Sequence, residues 1–344
     1  MLCVAWPEVT DNLESTRRSA ALFLDSFSGN YEATSRRHFV ARWTNIGDAH
    51  CLFGDLNVER GALDAAAEAC ALTAFEVARR LVDENDPQAR EVLAKLEAGI
   101  GNFGSLEQRV RRVEIASWDE RKLPAYYVSA GGPGLRAPAV ICMSREDETG
   151  ATLLGRLLPV IASRGMAALV VAYDDVSASQ HEQSEILSCC LDYLSARQEV
   201  DASRIGIYGD GLSAALATDF ALADRRIAAA VCDGGLWKWA RTQASISWMT
   251  GTSHVLDDHL ASAHRSRLAR RLKCPILVVA GGHSIVSVPE GIKLESDCAT
   301  ARVDLKLLMS RLAPISDGEF ENFAACDEDI FAWLEQKLAR TSAS

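Results

Sequence analysis

The sequence predicts an α/β protein, in which helices cover both faces of a mainly parallel sheet and a helical segment precedes that sheet. From residue 110 onward, short apolar runs typical of strands alternate with helical segments, which is the pattern of successive βα units. Ala139–Met143 is a continuous apolar run, as expected of a strand that is buried on both faces. Before residue 110 the pattern is helical throughout.

Residues 1–109 are predicted to form a helical N-terminal domain. In its third helix, apolar residues from Leu63 through Ala67 and Cys70 recur at spacings of three and four, which indicates an amphipathic helix. Asp86 followed by Pro87 marks the start of the fourth helix, since proline is tolerated in a first turn. The four predicted helices are 15–27, 36–45, 58–84 and 87–106.

Residues 110–344 are predicted to form the core domain, with a lid insertion at about 236–272. An antiparallel pair at 111–115 and 123–128 comes first. The elements expected after it are strands at 139–143, 167–173, 205–208, 227–232, 276–280 and 303–308 and helices at 149–164, 182–196, 213–223 and 327–338. Because the alternation is regular, most of the sheet should be parallel.

Composition excludes several classes of protein. The 344 residues include 36 Lys and Arg against 47 Asp and Glu, a net charge of −11, which argues against a general nucleic-acid surface. No window approaches the roughly 18 apolar residues that cross a bilayer, and the N-terminus lacks the pattern of a signal peptide. The ten cysteines form no CxxC pair and lack zinc-ligand spacing, so we expect reduced thiols and a cytoplasmic location.

The segment from Asp201 to Ala215 predicts a strand, a tight turn and a helix. A turn that brings a strand and a helix close together needs small residues two positions before and two after its apex. Gly209 and Ser213 meet this requirement if the apex is Gly211. The segment resembles the nucleophile elbow of the α/β-hydrolases, written G-x-S-x-G, with glycine in place of the nucleophile.

Further segments resemble one branch of that superfamily. They are the helical N-terminal segment, the strand at 165–171, the elbow and the strand end at 229–235. The branch contains 2,6-dihydroxypseudooxynicotine hydrolase, the fungal heptaketide-shortening hydrolases and related esterases, and the resemblance covers roughly residues 40–340. It implies a helical N-terminal lid on an α/β-hydrolase core. Known members cleave C–C bonds next to carbonyls.

The resemblance also shows where a Ser-His-Asp triad should lie. After the strand at 276–280 the family has a G-x-x-D pattern, whereas this chain has Gly281-Gly282-His283-Ser284. No histidine follows His283, and the elbow apex is glycine. An ordinary serine esterase is therefore not expected. The backbone N–H groups of Leu212 and of the turn at Arg145 remain to form an oxyanion hole, which can hold an enolate.

Four side chains are candidate acids or bases. His283 follows a central strand, at the edge where open α/β sheets bind ligands, and its ordinary pKa of about 6.5 suits proton transfer. His181 is a candidate for the same positional reason. Asp233 precedes two glycines at a strand end, and Asp210 adjoins the elbow apex. Each has a structural alternative: a histidine with a loop hydrogen bond, or a solvated or helix-capping carboxylate.

Other polar groups near the strand ends are expected to be mainly structural. Ser213 would be a nucleophile in an alternative frame, but we expect its side chain to lie within the first helical turn. Most of the remaining strand-end carboxylates should be solvated; they are Glu146, Asp147, Glu148, Asp174, Asp175 and Glu321.

The lid region supplies the candidate substrate-binding residues, Trp237, Trp239 and Trp248, with Ser284 from the loop after the strand at 276–280. The indoles would stack on a flat aromatic or polyketide ligand, or else seal the lid against the core.

Two functions stay open. The first is a tailoring enzyme of natural-product biosynthesis that cleaves, eliminates or cyclises a carbonyl-rich small molecule, using a backbone oxyanion hole and a histidine or carboxylate base. The second is a catalytically inactive relative that binds a ligand or a partner subunit. Neither a cofactor nor a metal is expected, and neither is a nucleic-acid or membrane partner. A homodimer is left open.

Overall fold

The computed structural model describes residues 9, 12–27, 33–59, 65–83, 85–107, 109–116, 122–130, 136–178, 183–233, 267, 270–280, 288–315 and 318–339. The chain divides into two compact units. The first unit consists of Met1–Arg111, Ala151–Arg164 and Arg311–Asp329, and the second consists of Arg112–Gly150, Gly165–Ser310 and Ile330–Ser344. The first unit therefore includes two segments that follow residue 109 in the sequence.

The described elements follow in chain order. Four helices come first: α1 (Leu13–Ser26), α2 (Ala33–Glu59), α3 (Ala65–Leu81) and α4 (Gln88–Glu107). The next elements are β1 (Val110–Ala116), β2 (Lys122–Val128), β3 (Ala137–Met143), α5 (Gly150–Ala162), β4 (Ala167–Val171), α6 (Tyr173–Ser177), α7 (Gln183–Ser195), β5 (Val200–Asp210), α8 (Ser213–Ala223) and β6 (Ile227–Asp233). The last are β7 (Ile276–Ala280), α9 (Val288–Thr300), β8 (Leu305–Met309), β9 (Leu312–Ile315), β10 (Gly318–Glu321) and α10 (Phe323–Leu338).

Most bounds agree with the predicted elements, and α8 and β7 have the predicted limits. The predicted helix at 36–45 is wrong at its end and the predicted helix at 58–84 is wrong at its start, because α2 continues through Glu59 and α3 begins only at Ala65. Helical periodicity marks the buried face of each helix but not the point where one helix ends and the next begins. The elements α6, α9 and the β9–β10 hairpin, which are short or mainly polar, were not predicted from the sequence.

The eight-stranded sheet has the order β1-β2-β4-β3-β5-β6-β7-β8. All pairings from β4 through β3 to β8 are parallel, whereas β2 runs antiparallel to β4. This confirms the predicted α/β class with a mainly parallel sheet. In this arrangement β3 and β6 lie on either side of β5, so the ends of these three strands meet at one edge.

Helices of the second unit cover both faces of its sheet. On one face, Ile205 and Ile207 of β5 belong to a core that includes residues of α7 and α8. On the other face, a Cβ built at Gly206 would lie 3.3 Å from Leu338, and the Tyr208 ring lies 6.1 Å from that of Phe331, both in α10. Successive β5 residues alternate between the two faces, as strand geometry requires.

The first unit contains two buried carboxylates with opposite pKa shifts. Burial alone would raise the pKa of Glu76, but the guanidinium groups of Arg79 and Arg80 outweigh it and lower that pKa to about 2. Burial raises the pKa of Asp327 to about 7, and the guanidinium of Arg156 lies 3.8 Å away, too far for a hydrogen bond. The two pKa values shift in opposite directions because Glu76 accepts hydrogen bonds from Arg79 and Arg80, whereas the buried carboxylate oxygens of Asp327 accept none.

The described cysteines are free thiols, and nine of the ten lie within the described ranges. Burial raises the pKa of Cys232 to about 12 and that of Cys274 to about 11, so these thiols are poor nucleophiles. Over the same ranges, no helix is both long and apolar enough to span a bilayer.

Candidate active site

The turn between β5 and α8 places Gly211 at its apex. Gly211 has φ of +61°, a left-handed conformation that strains any residue with a side chain. Its N–H donates to the carbonyl oxygen of Asp233 over 2.8 Å, which ties the turn to β6. In the α/β-hydrolase pattern this strained position presents the nucleophile. Here it presents no side chain.

The residues on either side of Gly211 show why small side chains are needed at this turn. A Cβ built at Gly209 would lie 2.3 Å from the Ser213 carbonyl oxygen, so a side chain there clashes with backbone. Ser213 is fully buried in the first turn of α8, and its hydroxyl donates to the Ser144 carbonyl oxygen over 2.5 Å. Ser213 therefore joins α8 to β3, as expected for a residue of the first helical turn.

Ser144 fixes the loop that follows β3, which we call the 144–149 loop. Its N–H donates to the carbonyl oxygen of Val171 over 3.1 Å. Its hydroxyl oxygen accepts from the N–H of Tyr173 over 3.0 Å and donates to the carbonyl oxygen of Glu148 over 2.7 Å. Together with the Ser213 contact, these bonds hold the loop against β4, α6 and α8.

The 144–149 loop places a carboxylate over Gly211. The backbone N–H of Leu212 donates to Glu146 Oε2 over 2.9 Å. A Cβ built at Gly211 would lie 2.5 Å from the same oxygen, so the carboxylate takes the space of the absent side chain. From the sequence, the Leu212 N–H is expected to receive a substrate oxygen and Glu146 to be solvated. In the structure Glu146 is exposed but already accepts from this amide.

Arg145 packs beside the same glycine. Its Cγ would lie 3.1 Å from a Cβ at Gly211. Its guanidinium makes two hydrogen bonds to Asp147, of 3.1 Å from Nε and 3.0 Å from Nη2. A planar guanidinium paired in this two-point manner is held in place. The hydrocarbon stem of Arg145 and the carboxylate of Glu146 thus cover the turn together.

Asp210 and Asp233 come together at the ends of β5 and β6, where they are register partners. They are 4% and 3% exposed, and the Tyr208 hydroxyl lies 3.3 Å from an oxygen of each. A phenol has a single proton to donate, so it can serve only one of the two carboxylates at a time. This buried group differs from Glu146, which faces solvent.

The other predicted site residues lie outside the described residues, and their roles stay predictions. They are His181, Trp237, Trp239, Trp248, His283 and Ser284. The same holds for most of the predicted lid insertion at 236–272. In the described ranges, no group of three or more His, Cys, Asp or Glu side chains is placed to hold a metal ion.

Comparison with known proteins agrees with this architecture. No protein-family model matches the sequence, and no curated protein matches it either. Among solved structures, the chain is similar to 2,6-dihydroxy-pseudo-oxynicotine hydrolase, with a TM-score of 0.53 and 16% identity over 93% of this chain and 95% of that one. It is also similar to the esterase Pf2001 of Pyrococcus furiosus, with a TM-score of 0.50 and 15% identity over 68% and 94%.

The sheet order, the strand-to-helix turn and these structural neighbours define the class: this is a protein of α/β-hydrolase fold. The predicted fold is thereby confirmed. The similarity to 2,6-dihydroxy-pseudo-oxynicotine hydrolase extends over nearly the whole of both chains, helical N-terminal part included.

Proposed function

We propose that this protein is an enzyme that acts on a small carbonyl-containing molecule without forming a serine acyl-enzyme. One observation carries the proposal: Gly211 leaves the nucleophile position of the turn empty of side chain, while the adjacent Leu212 N–H binds a carboxylate oxygen at 2.9 Å. An amide that binds an anionic oxygen of the chain can bind the oxyanion of a substrate. The start of α8 adds the favourable end of a helix dipole.

The reactions that fit this site pass through an enolate. Cleavage of a C–C bond next to a carbonyl, elimination and cyclisation of a polycarbonyl chain all place negative charge on a carbonyl oxygen. We propose that the triad is degenerate, because the sequence has Gly211 at the elbow, Ser284 at the expected acid position and no histidine after His283. The likeness in fold to 2,6-dihydroxy-pseudo-oxynicotine hydrolase supports a carbonyl-rich substrate. A natural-product pathway in the cytoplasm is part of the same proposal.

Two assays test this function. A fluorophosphonate probe should leave the protein unlabelled, and hydrolysis of p-nitrophenyl acetate should equal the buffer rate. Exchange of α-hydrogens of acetophenone, 1-indanone and levulinate with D₂O, followed by proton NMR, should exceed the buffer rate. Stoichiometric fluorophosphonate labelling at Ser213 would show that a covalent serine route exists after all.

The second candidate function is that of a catalytically inactive relative that binds a ligand or a partner subunit. The hydrogen bond between the Leu212 N–H and Glu146 also favours this function. Glu146 already engages the Leu212 N–H, so a substrate oxygen must displace it. The two functions differ in an observable result. A protein that binds a co-purifying small molecule but shows neither α-hydrogen exchange nor turnover of that molecule would be the binding protein.

A further inference from the structure

We propose that Glu146 is the general base of this site. The inference rests on the proposed function and assigns the proton transfer to one named side chain. Its Oε2 lies 2.9 Å from the Leu212 nitrogen and would lie 2.5 Å from a Cβ at Gly211. A base at that point is adjacent both to the oxyanion donor and to the place from which an elbow nucleophile would act.

Exposure separates Glu146 from the two carboxylates at the strand ends, Asp210 and Asp233. Asp210 and Asp233 are almost completely buried and share the Tyr208 hydroxyl. Glu146 lies on the exposed side of the turn, where a ligand can reach it. Because a general base must come within about 2.6–3.2 Å of the proton that it removes, accessibility favours Glu146 over the buried pair.

The proton transfer balances within this geometry. A C–H bond next to the substrate carbonyl breaks, its electron pair moves into the new C=C bond, and the carbonyl oxygen becomes negative. The proton goes to the Glu146 carboxylate, which becomes a neutral acid and a weaker acceptor. The Leu212 N–H can then pass from Glu146 to the enolate oxygen. Negative charge at the start of α8 is therefore constant, and Glu146 can return the proton to carbon after cleavage or elimination.

The loop geometry supports a base held in position. The hydrogen bonds of Ser144 to Val171, Tyr173 and Glu148 fix the segment that bears Glu146. Gly211 is complementary to the carboxylate, since any side chain at 211 would occupy its place. We infer that glycine at 211 and glutamate at 146 function as a pair.

The test compares Glu146→Gln with a matched control, Glu185→Gln, which removes an exposed carboxylate of α7 in the same unit. Exchange of α-hydrogens of acetophenone, 1-indanone and levulinate is measured for wild type and both variants across pH 5 to 9. Glu146→Gln should lose at least about 100-fold in exchange rate, with KM little changed. Glu185→Gln should stay within about threefold of wild type, because this carboxylate is exposed in α7 and takes no part in the turn at Gly211.

A second variant separates a chemical role from a structural one. Glu146→Ala should recover part of the exchange rate on addition of sodium formate, whereas wild type should not respond. If wild type is active and Glu146→Gln exchanges at the wild-type rate, this inference is wrong and the proposed function stands. If Glu146→Gln is unfolded by circular dichroism, failure of formate to rescue Glu146→Ala overturns the inference. If wild type exchanges none of the three compounds above the buffer rate, the inference and the proposed function fall together.

Discussion

The hydroxyl of Ser213 donates to the carbonyl oxygen of Ser144 over 2.5 Å, and both side chains are fully buried. This bond joins the first turn of α8 to the end of β3. Those two segments supply the Leu212 N–H and the Glu146 carboxylate that meet above Gly211. The serine next to the elbow therefore positions the site.

Replacing Ser213 by alanine should reduce the free energy of unfolding by about 1–3 kcal/mol, because a buried carbonyl loses its hydrogen bond. Urea denaturation followed by circular dichroism measures the change. The matched control is Ser105→Ala, since the exposed Ser105 hydroxyl also donates to a helical carbonyl, that of Gly101. The control should change stability by less than about 0.5 kcal/mol, and equal losses in the two variants would contradict the assigned role.

Gly209→Ala should destabilise the protein by about 3 kcal/mol, because the new Cβ would meet the Ser213 carbonyl oxygen at 2.3 Å and backbone must move. The matched control is Gly101→Ala, because a Cβ at this helical glycine has no neighbour within 4 Å. The free energy of unfolding of that control should rise by about 0.5–1 kcal/mol, since alanine is a better helix former than glycine. Thermal and urea unfolding of both variants would check the contrast, and a neutral Gly209→Ala would contradict the close approach.

Gly211→Ala should reduce the free energy of unfolding by about 1–2 kcal/mol, because alanine is strained in the left-handed backbone conformation of this residue. The free energy of unfolding should fall further because the new Cβ displaces the Glu146 carboxylate. The second part should vanish in a Glu146→Ala background. A double-mutant cycle from urea unfolding should therefore give an interaction free energy of about 0.5–3 kcal/mol. Strictly additive effects would mean that the two positions do not touch.

Asp327 should make the protein more stable at acid pH than at alkaline pH. Its pKa in the folded protein is about 7 because of burial, above the unfolded value of about 3.9. The folded state therefore binds the proton more tightly, and this stabilisation is complete below about pH 4 and is lost as pH rises through about 7.

Asp327→Asn removes that dependence. Relative to this variant, wild type should lose stability between pH 5 and pH 8, as measured by urea unfolding at the two values. The control is Asp329→Asn, which removes an exposed carboxylate from the same helix. The difference in free energy of unfolding between this variant and wild type should be the same at pH 5 and pH 8. A difference for Asp327→Asn that is constant with pH, or that has the opposite sign, would refute the assignment.

Much of the core domain could be predicted because its signals are local. The apolar runs of β3 and β7 predict two strands, and the small residues around Gly211 predict the turn and the start of α8. The boundary between α2 and α3 was predicted between residues 45 and 58, whereas α2 runs to Glu59 and α3 begins at Ala65, because helical periodicity marks a buried face and not a helix end. The place of Ser213 was predictable from spacing alone, but its partner was not.

The sequence by itself determined the fold and the absence of a side chain at residue 211, since both follow from residue type and short-range spacing. Only the tertiary structure decided which carboxylate meets the turn. Glu146 and Leu212 are 66 residues apart, and they come together because β3 lies beside β5 in the sheet. Glu146, Asp147 and Glu148 are adjacent carboxylates, so the local sequence does not show which of them contacts Leu212. The pairing of β3 with β5 and the hydrogen bonds that fix the 144–149 loop select Glu146.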